Sequence, residues 1–212
     1  MSAPGGIRVP PGRAGRLWLR GRLQVAERGL DLLDRKLRIL RREHERLALL
    51  AQRTGEAWEH ACREAETWLL RAALLSGQRA LRLSAASPAA KVTIAWRDTM
   101  GLRYPAEATC DLATEASPPL PGTAALAPAM AAHRAALAAA VQHAAATAAL
   151  EIVADEIAAT SQRLRAIQDR WIPRLQATLA EVELALDESE QADAARLRRA
   201  AATQAGTIGR SP

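Results

Sequence analysis

The string with most chemistry in it is Glu43-His44-Glu45. A zinc helix of this type needs a second histidine four positions after the first, and that position is Ala48. His60 and Cys62 stand two apart and diverge on a helix, so they share no metal. The sequence has no Gly-x-x-x-x-Gly-Lys-Ser/Thr loop and no Gly-x-Gly-x-x-Gly turn after a strand, so nucleotide hydrolysis is not expected of this chain. Between the long helical stretches the carboxylates are Asp98, Glu107, Asp111 and Glu115, with no histidine beside them, too sparse a set for acid–base catalysis. No catalytic residue, cofactor-binding residue or metal ligand is expected, and the chain is expected not to be an enzyme. Trp58, Trp68 and Trp171 fall on apolar seams and are expected as large knobs, His44 as a register-setting core residue. Trp18 and Trp96 fall off the seams and are candidates for contact with a partner.

Two long periodic stretches carry these residues. Toward the carboxyl end, Leu150, Val153, Ile157, Leu164, Ile167 and Trp171 form one stripe, and Leu175, Leu179, Val182 and Leu186 a second. The step from Leu164 to Leu175 displaces the heptad, a stutter that unwinds a left-handed supercoil, and Pro173 at the displacement predicts a helix bend. Toward the amino end, Leu23, Leu30, Leu37, His44, Trp58 and Ala65 share one heptad position, and Leu33, Leu40, Leu47, Thr54 and Trp68 another. Between the stretches, residues 91–97 alternate polar with apolar, Asp98 to Gly101 can turn, and residues 102–112 can return with Pro105 at an edge. Trp96, Met100, Gly101 and Pro105 mark this head hairpin, whose strands are expected near 92–96 and 102–108 and to be dispensable for the helices.

The expected organisation is a flexible arm over 1–13, a long helix over 14–83, the hairpin head with a Pro/Ala-rich connector over 84–127, a second long helix over 128–200, and a disordered tail over 201–212. The fold class is mainly α: a long antiparallel two-helix coiled coil, or helical hairpin, with a small β-hairpin head. At 1.5 Å per residue each helix would be roughly 100 Å long. Lining up the termini places Leu40 to His44 opposite Trp171, and sets the acidic residues between Glu181 and Asp193 against the basic amino-terminal helix.

Aromatics make up 3 % of the 212 residues, without phenylalanine, a bias of long helices rather than of a compact globule. The net charge is +6, and from Arg8 to Arg46 there are 12 basic residues against 5 acidic. Such a block could bind phosphates, which makes a basic coiled coil that binds nucleic acid or tethers to membranes the first alternative. No aromatic stacking platform accompanies it, so a solvated face tuned to an acidic protein partner is favoured over nucleic acid. A long-helix scaffold with catalysis in its head is the second alternative. Cys62 and Cys110 are expected as reduced thiols of a cytoplasmic protein. The opening Met-Ser-Ala-Pro-Gly-Gly lacks the apolar core of a signal peptide. Residues 68–83 carry three arginines and 135–150 are mostly alanine, so neither is expected to insert into a bilayer.

Four stretches in consistent order carry a resemblance. They are residues 15–23 (GRLWLRGRL) with Ala26-Glu27-Arg28-Gly29 and Leu32-Leu33; residues 99–105 (TMGLRYP); residues 160–167 (TSQRLRAI); and Ile172-Pro173-Arg174-Leu175 with Thr178, Leu186-Asp187-Glu188-Ser189-Glu190 and Arg196-Leu197. The set resembles the D subunit of the V-type and archaeal-type (V/A) rotary ATPases and covers nearly the whole chain. The residues after Lys36, namely Leu37 and Arg38, and the connector composition depart from the family pattern. The resemblance implies a non-catalytic central-stalk rotor shaft that couples ATP synthesis or hydrolysis to H+ or Na+ translocation. Its implied partners are the catalytic and regulatory nucleotide-binding ring subunits, the small F subunit of the stalk, and a socket subunit on the membrane rotor. It also implies a cytoplasmic place, peripheral to the membrane, with no direct membrane insertion and no nucleic acid.

Overall fold

The computed structural model describes residues 7–84, 89–112 and 124–208. In order these form α1 (Gly12–Ser84), β1 (Lys91–Thr99), β2 (Leu102–Asp111), α2 (Leu126–Ala166), a wide π turn (Ile167–Trp171) and α3 (Ile172–Ile208). The fold class is mainly α, a helical hairpin carrying a β-hairpin. The chain divides into two compact units: residues 36–160, and the terminal segments up to 35 and from 161 on. Of the expected arm over 1–13, residues 1–6 lie outside the described residues and α1 already begins at Gly12; residues 113–123 of the expected connector also lie outside them. The expected disordered tail does not hold as drawn, because α3 continues from Ala201 to Ile208. Alanine-rich sequence favours helix even after the apolar stripe has ended.

In the unit of residues 36–160, α1 and α2 run antiparallel, since contacts advance along one helix as they retreat along the other. Lys36 pairs with Glu156, and Leu40 and Leu47 share a core with Ala149 and Val153. Thr54 meets His143, Ala65 packs on Ala132 and Ala136, and Ala72 on Ala125 and Ala129. Trp68 covers both alanine clusters and is itself covered by the Arg71 guanidinium, 4.6 Å from its ring centre. Small residues facing one another let the two backbones approach closely, and the tryptophan fills what they leave. Gly55 belongs to the same logic: a Cβ there would stand 3.2 Å from Cε1 of His143, whose ring stacks on Trp58.

Alignment by the termini is corrected here, because Leu40 packs on Ala149 and Val153 rather than opposite Trp171. The two chain ends are unequal, so equal overhang is the wrong assumption. Inside the terminal unit Arg13 pairs with Glu190, so α3 has a further 18 residues to Ile208 beyond that rung. Arg20 pairs with Glu183, seven residues on in each helix, which makes this unit antiparallel too. The acidic run of α3 and the basic start of α1 do meet. Both pairs are exposed, so they contribute at most about 1 kcal/mol each and serve register more than stability.

Two departures from regular helix follow from single residues. Gly77 has φ 71° and ψ 165° inside α1, a conformation open to glycine, and the chain changes direction there. Leu81, beyond it, packs back against the cluster of Ala72, Ala125 and Ala129. At Pro173 the helix does not simply lose a bond. The Ile172 N–H donates to the Ile167 carbonyl, five residues back, so a π turn ends immediately before the proline and α3 starts with Pro173 in its first turn. A proline is tolerated there, where its missing N–H would lack a helical partner anyway.

The helix from Leu126 to Ala201 also contains an 18-residue window apolar enough, by length and composition, to cross a membrane. A helix that packs in a protein core can present the same length and composition. Three alanines near its middle and start, Ala132, Ala136 and Ala149, lie in cores shared with α1.

Candidate functional site

The chemistry-bearing residues converge where the β-hairpin meets α1. β1 and β2 pair antiparallel from Lys91–Asp111 to Thr99–Leu102, so the turn centres on Met100 and Gly101, one residue later than the sequence places it. Both have positive φ, 53° and 76°, as the two-residue turn favoured by twisted hairpins requires. Glycine meets that demand freely, whereas methionine is strained by it. The register slips between Ala95 and Trp96, where Trp96 pairs with Pro105 and Ala106 is the extra residue. Proline has no N–H for the ladder and suits a bulge. The bulge tightens the twist of β2 locally, beside Tyr104 and Pro105, which are both buried.

Tyr104 is the chain's one tyrosine and is fully buried among Leu40, Leu47, Ala149 and Val153. A buried phenol needs a partner for its hydroxyl. Its O–H donates to Glu43 Oε1 at 2.6 Å, and Thr99 Oγ1 lies 3.1 Å from the same hydroxyl. Glu43 in turn accepts from Arg46, whose Nη2 is 2.6 Å and Nε 3.1 Å from Oε1. One turn of α1 thus presents a clamped carboxylate to one turn of hairpin. The Arg46 hydrogen bond holds the Glu43 carboxyl below the ordinary carboxylate range; partial burial opposes this, and the Tyr104 hydrogen bond and the charges of Arg46 and Arg97 add to it. The same bond raises Arg46 above its usual value. A second polar tie, Lys36 Nζ to Glu156 Oε1 at 2.7 Å, joins α1 to α2, with buried Thr160 donating to the same oxygen at 3.1 Å.

The remaining sequence candidates fall into three groups. Leu37, Leu40, Leu47 and Leu175 are buried; Leu23, Leu30, Leu33, Trp68, Leu164, Ile167, Val182 and Leu186 are half-buried. Trp58 and Trp171 are 38 % and 40 % exposed, so neither is an enclosed knob. Trp171 ends the π turn, whose wider winding carries it off the stripe that α-helical counting assigns to it. In the head, Trp96 is half exposed with Arg103 over its ring at 5.2 Å, and Met100 lies open at the turn. All of β1 except Thr99 is exposed. Among the described residues no three His, Cys, Asp or Glu side chains gather as a metal site. Sequence reasoning does not single out Tyr104, Glu43 and Arg46 as a set. The signal available is a lone tyrosine in a strand, which has to bury its ring and satisfy its hydroxyl.

Antiparallel long helices that hold a small hairpin through one carboxylate define the class of the fold, a helical hairpin with a β-hairpin head. Compared with known proteins, residues 17–202 match the family model of the ATP synthase D subunit. The chain is 31 % identical over 198 residues to the V-type ATP synthase D subunit of Anaeromyxobacter sp. (strain Fw109-5), covering 91 % of this chain and 92 % of that protein. The chain belongs to the ATP synthase D-subunit family.

Proposed function

We propose that this protein is the central rotor shaft of a V-type ATP synthase, transmitting torque between nucleotide-binding ring subunits and an ion-translocating membrane rotor. The observation that carries the proposal is the continuity of the family match from residue 17 to 202, through both helical legs and the hairpin. The shaft itself does no chemistry. It acts with catalytic and regulatory ring subunits, the small F subunit of the stalk and a socket subunit on the membrane rotor. It sits on the cytoplasmic side, peripheral to the bilayer and without inserting into it, and carries H+ or Na+ coupling without binding the ion.

Two features support a mechanical role. Within each unit the legs are tied at intervals by ion pairs and small-residue cores, which resists their sliding past one another. The head is clamped at Tyr104 while its outer strand and turn stay open, as an element that meets a partner would require. The test is to tag the chain, purify it from native membranes, and measure ATP hydrolysis beside ion uptake in reconstituted vesicles. Ring and membrane subunits should co-purify, and complexes depleted of this chain should lose ion uptake. Ion uptake that survives depletion, or a tagged chain that brings down nucleic acid instead, rules the role out.

A further inference from the structure

The hairpin presents a strand edge that its own unit leaves open. Among the described residues β1 pairs with β2 alone, and all of it except Thr99 is exposed. The turn decides which main-chain groups are spare. In a two-residue turn the carbonyl before it accepts from the N–H after it, so Thr99 directs its main-chain groups to Leu102. These groups alternate sides along a strand, so those of Asp98, Trp96, Ile94 and Val92 point away from β2. The register agrees, since Trp96 stands opposite Pro105, which has no N–H to offer it. The slip between Ala95 and Trp96 puts its extra residue in β2, so β1 keeps its alternation from end to end.

The two strands are unlike as edges. β2 has a proline and a bulge near its middle, with Tyr104 and Pro105 buried, which stops a further strand from adding there. β1 has neither proline nor glycine, and its Val92, Ile94 and Trp96 are 47 %, 43 % and 50 % exposed. β-branched and aromatic residues suit a strand surface, and an open ladder is complementary to another strand. The remaining segments of this sequence are poor candidates for it. Residues 113–123 include Pro118, Pro119 and Pro121, which remove ladder donors; residues 1–6 are Met-Ser-Ala-Pro-Gly-Gly, and 209–212 are too short. A second copy in antiparallel register answers neither cation of β1. Centred on Ala95, it sets Thr99 opposite Lys91 and Thr93 opposite Arg97; one pairing step away, it sets Lys91 opposite Arg97 or Arg97 opposite Ala95.

We infer that the outer edge of β1 accepts a β-strand from another protein, which pairs with the main chain of Val92, Ile94 and Trp96, carries apolar residues at alternate positions, and sets a carboxylate opposite Lys91 or Arg97. Main-chain hydrogen bonds hold the added strand, and its alternate side chains and carboxylate select it and fix its register. A two-stranded ribbon is marginal by itself, so the third strand also steadies the hairpin beyond its tie at Tyr104. The inference does not depend on rotation and holds for any assembly that contains the chain.

The experiment follows amide hydrogen exchange, residue by residue over 91–99, in the full-length chain alone and in the intact complex purified from native membranes. Alone, the outward amides of Val92, Ile94 and Trp96 should exchange faster than the inward amides of Thr93, Ala95 and Arg97. In the complex the outward set should slow by about tenfold or more. Photolysis of a complex with p-benzoylphenylalanine at Val92 should then recover one segment of another protein, free of proline and apolar at alternate positions. Ile94→Pro removes one outward N–H and leaves the β2 ladder whole, so it should abolish the added protection and the cross-link. Ile94→Ala keeps the N–H and should keep most of both. Exchange at the inward amides checks that each variant holds its hairpin; where Ile94→Pro does not, the protection and cross-link of the parent chain decide alone. Outward amides that exchange no slower in the complex overturn the inference. So do cross-links to a helix, to a second copy of this chain, to lipid, to scattered segments or to nothing, and so does full protection in an Ile94→Pro variant whose hairpin is intact.

Discussion

At the scale of single residues, the Tyr104 hydroxyl and the Glu43 carboxylate hold the hairpin to α1. Changing Tyr104→Phe keeps the ring in the core of Leu40, Leu47, Ala149 and Val153 but removes the donor to Glu43. A hydrogen bond to a charged group contributes about 1.5–3 kcal/mol, and Glu43 keeps Arg46, so urea unfolding should show a loss near the lower figure. An unchanged midpoint would mean the bond does not hold the head. The acid limb of stability has a definite sign. Glu43 ionises more readily in the folded state than in the unfolded one, so its contribution is complete above the ordinary glutamate range and fades as pH falls through its lowered folded value. Melting temperature should therefore drop as pH is taken below about 4, and Glu43→Gln should flatten that part of the profile while lowering the neutral-pH plateau. At the turn, Met100 is exposed and held at φ 53°. Met100→Gly should stabilise the hairpin by about 0.5–1 kcal/mol, read as slower amide exchange in β1 and β2; faster exchange would show that the methionine side chain contributes more than its strain costs.

Among the elements, the long helices are legible in the sequence because the heptads of Leu37, Leu40, Leu47 and Ala65 repeat over many turns. The hairpin is legible because residues 91–97 alternate. What sequence does not supply is relation. Nothing in residues 99–105 states that the tyrosine between Arg103 and Pro105 enters the helical core, so the head reads as dispensable, whereas it fills space between α1 and α2. Gly77 escapes notice because a glycine within a periodic stretch reads as a small propensity cost until its φ is known. The eleven-residue step and the proline together locate the irregularity at Pro173, but they predict a bend with a missing bond in place of a π turn. That difference changes the expected size of a substitution. A helix-interior proline costs about 3 kcal/mol, but Pro173 lies in the first turn of α3, so Pro173→Ala should stabilise the free protein by less than about 1 kcal/mol. Thermal unfolding of the two proteins side by side decides this, and a gain near the larger figure would show that the π turn does not absorb the proline.

For the whole molecule, the proposed role is to transmit rotation. The direct test is rotation. With Cys62→Ala and Cys110→Ala as background, a Lys91→Cys substitution on the exposed start of β1 takes a gold bead in complexes whose nucleotide-binding ring is fixed to glass. A second cysteine pair then links the chain reversibly to a ring subunit. On addition of ATP the bead should turn continuously in one direction, stop together with ATP hydrolysis when the disulfide is closed, and resume when it is reduced. Undiminished ATP hydrolysis in complexes fully cross-linked between chain and ring, or a bead that only fluctuates while ATP is consumed, would contradict a rotating shaft.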